Sequence, residues 1–218
     1  MITTSSYREF ENSFGRTYSI SENGGRDANY NGMRYTELEP LNSFLDIWKN
    51  NRGKISEEKN NGYYIEEYWK QVLSKLNVEE VYKSLDSSTL LCYEDNDLFC
   101  HRHIVSAWFE LLLGASVPEV DSGFEEVSKP EYIKLYLEEV IKNSVDMCGF
   151  TSLRALYLFE KSKKVLNMAQ ELEKTTGNKN TGYYEMAVWL NDEALRVEEC
   201  NYSNEKQKRL LHVGGKKR

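Results

Sequence analysis

The stretch TLLCYEDNDLFCHRH, residues 89–103, constrains the fold of this chain more than any other segment. Residues 89–93 are apolar without alternation, the pattern of a strand buried on both faces. Glu94 ends the run, and Asp95, Asn96 and Asp97 are turn formers. Helical spacing then resumes through Ile104, Val105, Trp108, Leu111 and Leu112, and Gly114 stands where a C-cap belongs. A buried strand feeding a helix is half of a βαβ unit. The expectation is an α/β fold: a mostly parallel sheet flanked by helices in the N-terminal part, followed by an all-helical C-terminal extension.

Other segments fit that frame. MITTSS is a short candidate strand, and residues 16–22, RTYSISE, alternate with β-branched and aromatic residues. NGGRDANYNG, residues 23–32, has turn chemistry, with Gly24, Gly25 and Gly32 free to take positive φ. Helical periodicity covers residues 41–50 and 63–76, and Asn77 is placed to cap a helix that carries Glu79 and Glu80 in its first turn. A boundary is expected near Val120-Asp121-Ser122-Gly123, dividing the chain into 1–120 and 121–218. Beyond it, three amphipathic patterns follow, through Tyr132–Ile141, Leu153–Val165 and Tyr184–Leu195.

Composition narrows the class of function. The chain has 218 residues, 40% of them apolar, enough for a folded core. No apolar run reaches about 18 residues, so no membrane span is expected. The first residues lack a basic then apolar leader, and four cysteines in such a chain read as reduced thiols in a cytoplasm. The net charge of −7 lies wholly in residues 1–120; residues 121–218 balance, owing to the basic tail KQKRLLHVGGKKR. An acidic body offers duplex nucleic acid no broad phosphate-binding surface. The tail has the charge to touch nucleic acid, but it reads first as a frayed, solvated terminus.

The chemistry concentrates beyond the central strand, where ligands bind in open α/β sheets. Glu94 occupies the strand end, suited to general acid–base work or to accepting from a sugar hydroxyl or base amino group. Cys100, His101 and Arg102 begin the next helix, where the dipole favours anions and lowers a thiol pKa. Arg102 can grip a phosphate or carboxylate with two prongs, or pair with a nearby carboxylate. Cys92, inside the strand, reads as core. Cys92, Cys100, His101 and His103 include zinc-ligand types, but their spacing fits no standard knuckle, so no metal is expected, and no cofactor. Neither a Walker loop nor a GxGxxG is present.

LLCYEDNDLFCHRHIVSAWFE, residues 90–110, followed by VPEV, resembles the hallmark of the family catalogued as domain of unknown function 488. ITTSSY, YSIS, RYTELEP and the helical segment 63–85 resemble the segments that precede that hallmark, so the resemblance covers about residues 1–120. It implies a compact α/β fold with Glu94, Cys100, His101 and Arg102 grouped at one edge, and supplies no reaction. Where members of the family continue with Pro-x-Trp after YSIS, this chain has ENGGRDANYNG, which implies a different pocket wall there. The expected site comprises Cys100, His101 and Glu94 as catalytic groups, with Arg102, Tyr93, Ser5, Ser6 and Ser19 as ligand contacts. The first expectation for function is binding or processing of a small anionic ligand, a nucleotide or modified nucleobase. The alternatives are a thiol enzyme with Cys100 as nucleophile, and a non-enzymatic module that binds protein through Tyr132, Tyr136, Tyr183, Tyr184 and Trp189, aromatics that otherwise pack the extension's own core.

Overall fold

A computed structural model of the chain describes residues 1–9 and 15–214, with side chains as far as residue 204. The side chains of the basic tail therefore lie outside the described residues. The chain forms two compact units, residues 1–144 and 145–218.

The first unit is a six-stranded, mostly parallel sheet flanked by helices. Its strands are β1 (Thr3–Ser6), β2 (Thr17–Ser19), β3 (Met33–Arg34), β4 (Thr89–Cys92), β5 (Glu119–Val120) and β6 (Glu126–Val127), in the order β3-β2-β4-β1-β5-β6. β4 lies between β1 and β2, parallel to both, and all four of its residues are buried. This is the two-faced burial that an unalternating TLLC requires. β1 is as deeply buried, yet it reads TTSS. Its hydroxyls are therefore bonded internally, as burial demands. Thr3 Oγ1 lies 2.8 Å from Thr89 Oγ1, Thr4 Oγ1 donates to Glu119 Oε2 at 2.6 Å, and Ser5 Oγ donates to the Val120 carbonyl at 2.7 Å.

Among the described residues, five α-helices belong to this unit: α1 (Asn42–Asn51), α2 (Glu57–Gln71), α3 (Val78–Ser84), α4 (His101–Leu113) and α5 (Glu131–Ser144). Asn77 caps α3 as expected, accepting from the amides of Glu79 and Glu80. Gly114 ends α4 in the left-handed conformation, φ 63°. Nine consecutive residues of α4, His101 to Phe109, are buried, so the helix is enclosed rather than amphipathic.

The expected boundary at residue 120 is corrected to Ser144/Val145. Residues 119–127 add the antiparallel pair β5–β6 to the sheet, so residues 121–218 are not wholly helical. α5 then packs on α2 and α4, burying Ile133, Leu137 and Ile141. An amphipathic helix in sequence does not declare which unit its apolar stripe covers.

The second unit is an antiparallel helical hairpin, α6 (Leu153–Thr176) and α7 (Thr181–Gly214). Leu158, Leu190 and Ala194 form its core, with Phe150, Phe159, Val165 and Val197 packed around them. Ser152 caps α6, and Glu198 of α7 accepts from the amides of Thr151 and Ser152 at 2.8 and 3.0 Å. Trp189 is 63% exposed and so does not pack this core; Tyr132 and Tyr136 belong to α5 in the first unit. No helix among the described residues is long and apolar enough to cross a membrane.

Candidate functional site

At the carboxyl ends of β2 and β4 the first unit opens into a cavity of about 330 Å³. That is within the range of small-molecule pockets, at its low end. Its floor is Cys92, Glu94, Cys100 and His101. The local sequence explains the grouping. β4 ends at Cys92, the acidic loop turns the chain, and Cys100 is the N-cap of α4. The excursion through residues 93–99 thus returns Cys100 and His101 to the end of the strand they left.

Distances on this floor are short. His101 Nε2 lies 2.7 Å from the Ile20 carbonyl, which only accepts, so Nε2 carries a proton. His101 Nδ1 is thereby turned to the sulfurs, 3.5 Å from Cys92 Sγ and 4.0 Å from Cys100 Sγ. The Cys92 thiol also lies 3.6 Å from Glu94 Oε2. Burial, followed by the charge of and a hydrogen bond with Cys100, pushes the Glu94 carboxyl up to about 7. Burial opposes ionisation of Cys100, but the Cys92 thiol, the charge of Arg102 and His101 together hold it well below the ordinary thiol value. Burial and the neighbouring Cys100 raise Cys92 well above that value. For His101 burial pulls downward, yet the bond to Cys100 and its charge, the Ile20 carbonyl and Glu94 raise it.

The walls are aromatic on one side. Trp48 from α1, Tyr64 from α2 and Phe99 from the loop meet with ring centroids 5.4–5.7 Å apart. Trp48 is fixed by its indole N–H on Asn61 Oδ1 at 3.0 Å and by Asn60 donating to its carbonyl at 2.9 Å. Behind Tyr64, Tyr68 stacks edge-on to His101 and donates to the Leu38 carbonyl at 2.6 Å. Burial holds both phenols well above their ordinary pKa, so they are neutral. Ser21, Glu22, Asn23 and Asp27 line the opposite wall, with Tyr93. There Gly25 has φ +75°, and a Cβ on it would meet the Tyr7 ring at 2.6 Å, so the turn admits no side chain. Lys49 and Arg52 are exposed at the mouth, with the Arg52 guanidinium 4.8 Å over the Trp48 ring.

The expected residues divide. Cys100, His101, Glu94 and Tyr93 come together in the pocket. Arg102, expected as the ligand's anion clamp, does not. Its side chain is 0% exposed, its Nε donates to Glu119 Oε1 at 2.9 Å, and it reaches the carbonyls of Glu94 and Asp95 at 2.8 and 3.2 Å. Glu119 also lies 3.3 Å from His103 Nε2, and these neighbours outweigh burial to keep its carboxyl below the usual range. Arg102 positions the acidic loop that carries Glu94. Ser5, Ser6 and Ser19 are corrected likewise. Ser5 bonds Val120, Ser6 Oγ accepts from the Glu9 amide at 3.3 Å, and Ser19 accepts from the Tyr7 hydroxyl, all of them buried away from the cavity lining. Cys92, read from the sequence as core, is buried, and it also lines the pocket. The aromatic wall was missed; the i, i+4 pair Tyr64 and Tyr68 beside a lone Trp48 was its only sequence signal. No family model matches the chain, and neither does any curated protein or solved structure.

Proposed function

We propose that this pocket binds, and processes, a small planar ligand bearing an anionic group, of the nucleotide or modified-nucleobase class, and that the chain belongs to the family catalogued as domain of unknown function 488. The observation that carries the ligand reading is the wall of Trp48, Tyr64 and Phe99 facing a carboxylate-lined side, with two exposed cations at the mouth. Aromatic faces accept a flat ring by stacking, at about 1–3 kcal/mol per base. Glu94 and Asp27 are acceptors for the amino edge of such a ring. Arg52 takes over the phosphate-binding role expected of Arg102, which is committed to Glu119, while Lys49 beside it pairs with Glu22 Oε2 at 3.3 Å.

The test is thermal denaturation of the full chain with a panel of free bases, nucleosides and nucleotides. A ligand at 100 times its Kd adds about 2.7 kcal/mol, or roughly 5–10 °C for a protein of this size. Trp48→Ala should remove the shift for every binder, and Arg52→Ala should weaken nucleotides more than nucleosides. Absence of any shift, or one that survives both substitutions, refutes the reading. The thiol-enzyme alternative rests on the Cys100 sulfur reaching the pocket floor; covalent trapping of Cys100 by an electrophilic nucleoside, with Cys148 spared, is the result that would favour it.

A further inference from the structure

We infer that Cys92, Cys100 and His101 form a binding site for a single zinc-class metal ion, with its fourth position open to the pocket beside Glu94. The three donor atoms lie within 4.8 Å of one another, and all three residues are buried. The two sulfur–nitrogen separations lie close to those of a tetrahedral site. With Zn–S near 2.3 Å and Zn–N near 2.0–2.1 Å, a sulfur and a nitrogen bound to one zinc stand about 3.6 Å apart. Here His101 Nδ1 is 3.5 Å from one sulfur and 4.0 Å from the other.

Two further features belong to metal sites. A ligating imidazole ordinarily gives its other N–H to a carbonyl or carboxylate, which fixes the tautomer and aims the lone pair. His101 Nε2 makes that bond to Ile20 at 2.7 Å, leaving Nδ1 for the ion. A site also needs an entry path, and all three residues line the open cavity. Two thiols and an imidazole select zinc, or cobalt in its place, over the hard cations calcium and magnesium. Binding displaces any proton that the two sulfurs carry and leaves two thiolates neutralising the dication. An ion there would face the pocket on its Glu94 side and polarise a group or water held against it.

The site stands apart from the ligand reading, since a chain indifferent to every nucleotide would still load the metal. Cobalt(II) added to the reduced, metal-free full chain should develop thiolate-to-cobalt charge-transfer absorption that saturates at one ion per chain and is bleached by zinc(II). Cys92→Ser or Cys100→Ser should weaken binding at least about tenfold, while Cys148→Ser, at an exposed thiol, should leave the spectrum unchanged. Absence of the charge-transfer band in the unsubstituted chain, or its persistence in the Cys92→Ser/Cys100→Ser double variant, overturns the inference. If the serine variants lose their helical circular dichroism, zinc-edge X-ray absorption on the unsubstituted protein decides. Two sulfurs at about 2.3 Å with nitrogen or oxygen at about 2.0–2.2 Å support the site, and a shell without sulfur overturns it.

Discussion

Replacing Arg102 by Met keeps most of the side-chain volume and removes a charge from a place that has no access to water. Arg102 and Glu119 are both 0% exposed, and they meet at 2.9 Å. In Arg102→Met the Glu119 carboxylate keeps the Thr4 hydroxyl at 2.6 Å and His103 Nε2 at 3.3 Å but loses its guanidinium, and the carbonyls of Glu94 and Asp95 lose a donor. Breaking one side of a buried pair costs about 3–5 kcal/mol. With an m-value of about 2 kcal/mol/M, the urea midpoint of the first unit should fall by roughly 1.5–2.5 M. The assay is tryptophan fluorescence in a Trp189→Phe background, because Trp48, Trp69 and Trp108 all lie in the first unit. The double variant Arg102→Met/Glu119→Leu buries no charge and should recover at least about 2 kcal/mol of the summed single losses. A single-variant cost under about 1 kcal/mol, or a double variant equal to the sum, refutes the pairing argument. The pH dependence carries a sign. The Glu119 carboxyl is held below its ordinary value of 4.5 in the folded chain. Its contribution is thus complete above that value and drains away as pH falls through the lower folded pKa. Glu119→Gln should flatten this acid limb of the stability curve.

A chain ending at residue 144 should unfold cooperatively, whereas one ending at residue 120 should aggregate, since it loses α5 and bares the faces of α2 and α4 that Ile133, Leu137 and Ile141 cover; analytical size exclusion with circular dichroism separates the outcomes. Asn77→Ala should lower the denaturant-unfolding free energy by about 1 kcal/mol through loss of the α3 cap, with no change in the helical spectrum of the folded state.

The parts of the fold legible in the sequence are those settled within a few residues. The β4 strand, the acidic turn, the α4 start and the caps at Asn77 and Gly114 all follow from local patterns. The same locality brought Glu94, Cys100 and His101 into one group, because a strand, a short loop and a helix N-terminus leave little freedom between them. Arg102 was misassigned as a ligand contact because its partner, Glu119, sits beyond the whole of α4 in a strand only two residues long. Nothing near Arg102 in sequence distinguishes a buried pair from an open clamp. Cys92 reads as core by composition, and it is buried; that its sulfur meets His101 depends on where α4 docks.

The sequence by itself therefore determined the element order and the chemistry at the end of β4, since hydrogen-bonding patterns and apolar periodicity are properties of short segments. Only the tertiary structure decided that Trp48 and Tyr64 meet Phe99 to form one wall, and that α5 completes the first unit. Those are contacts between segments far apart in the chain. They are chosen by the packing of whole faces against one another, which no local pattern specifies.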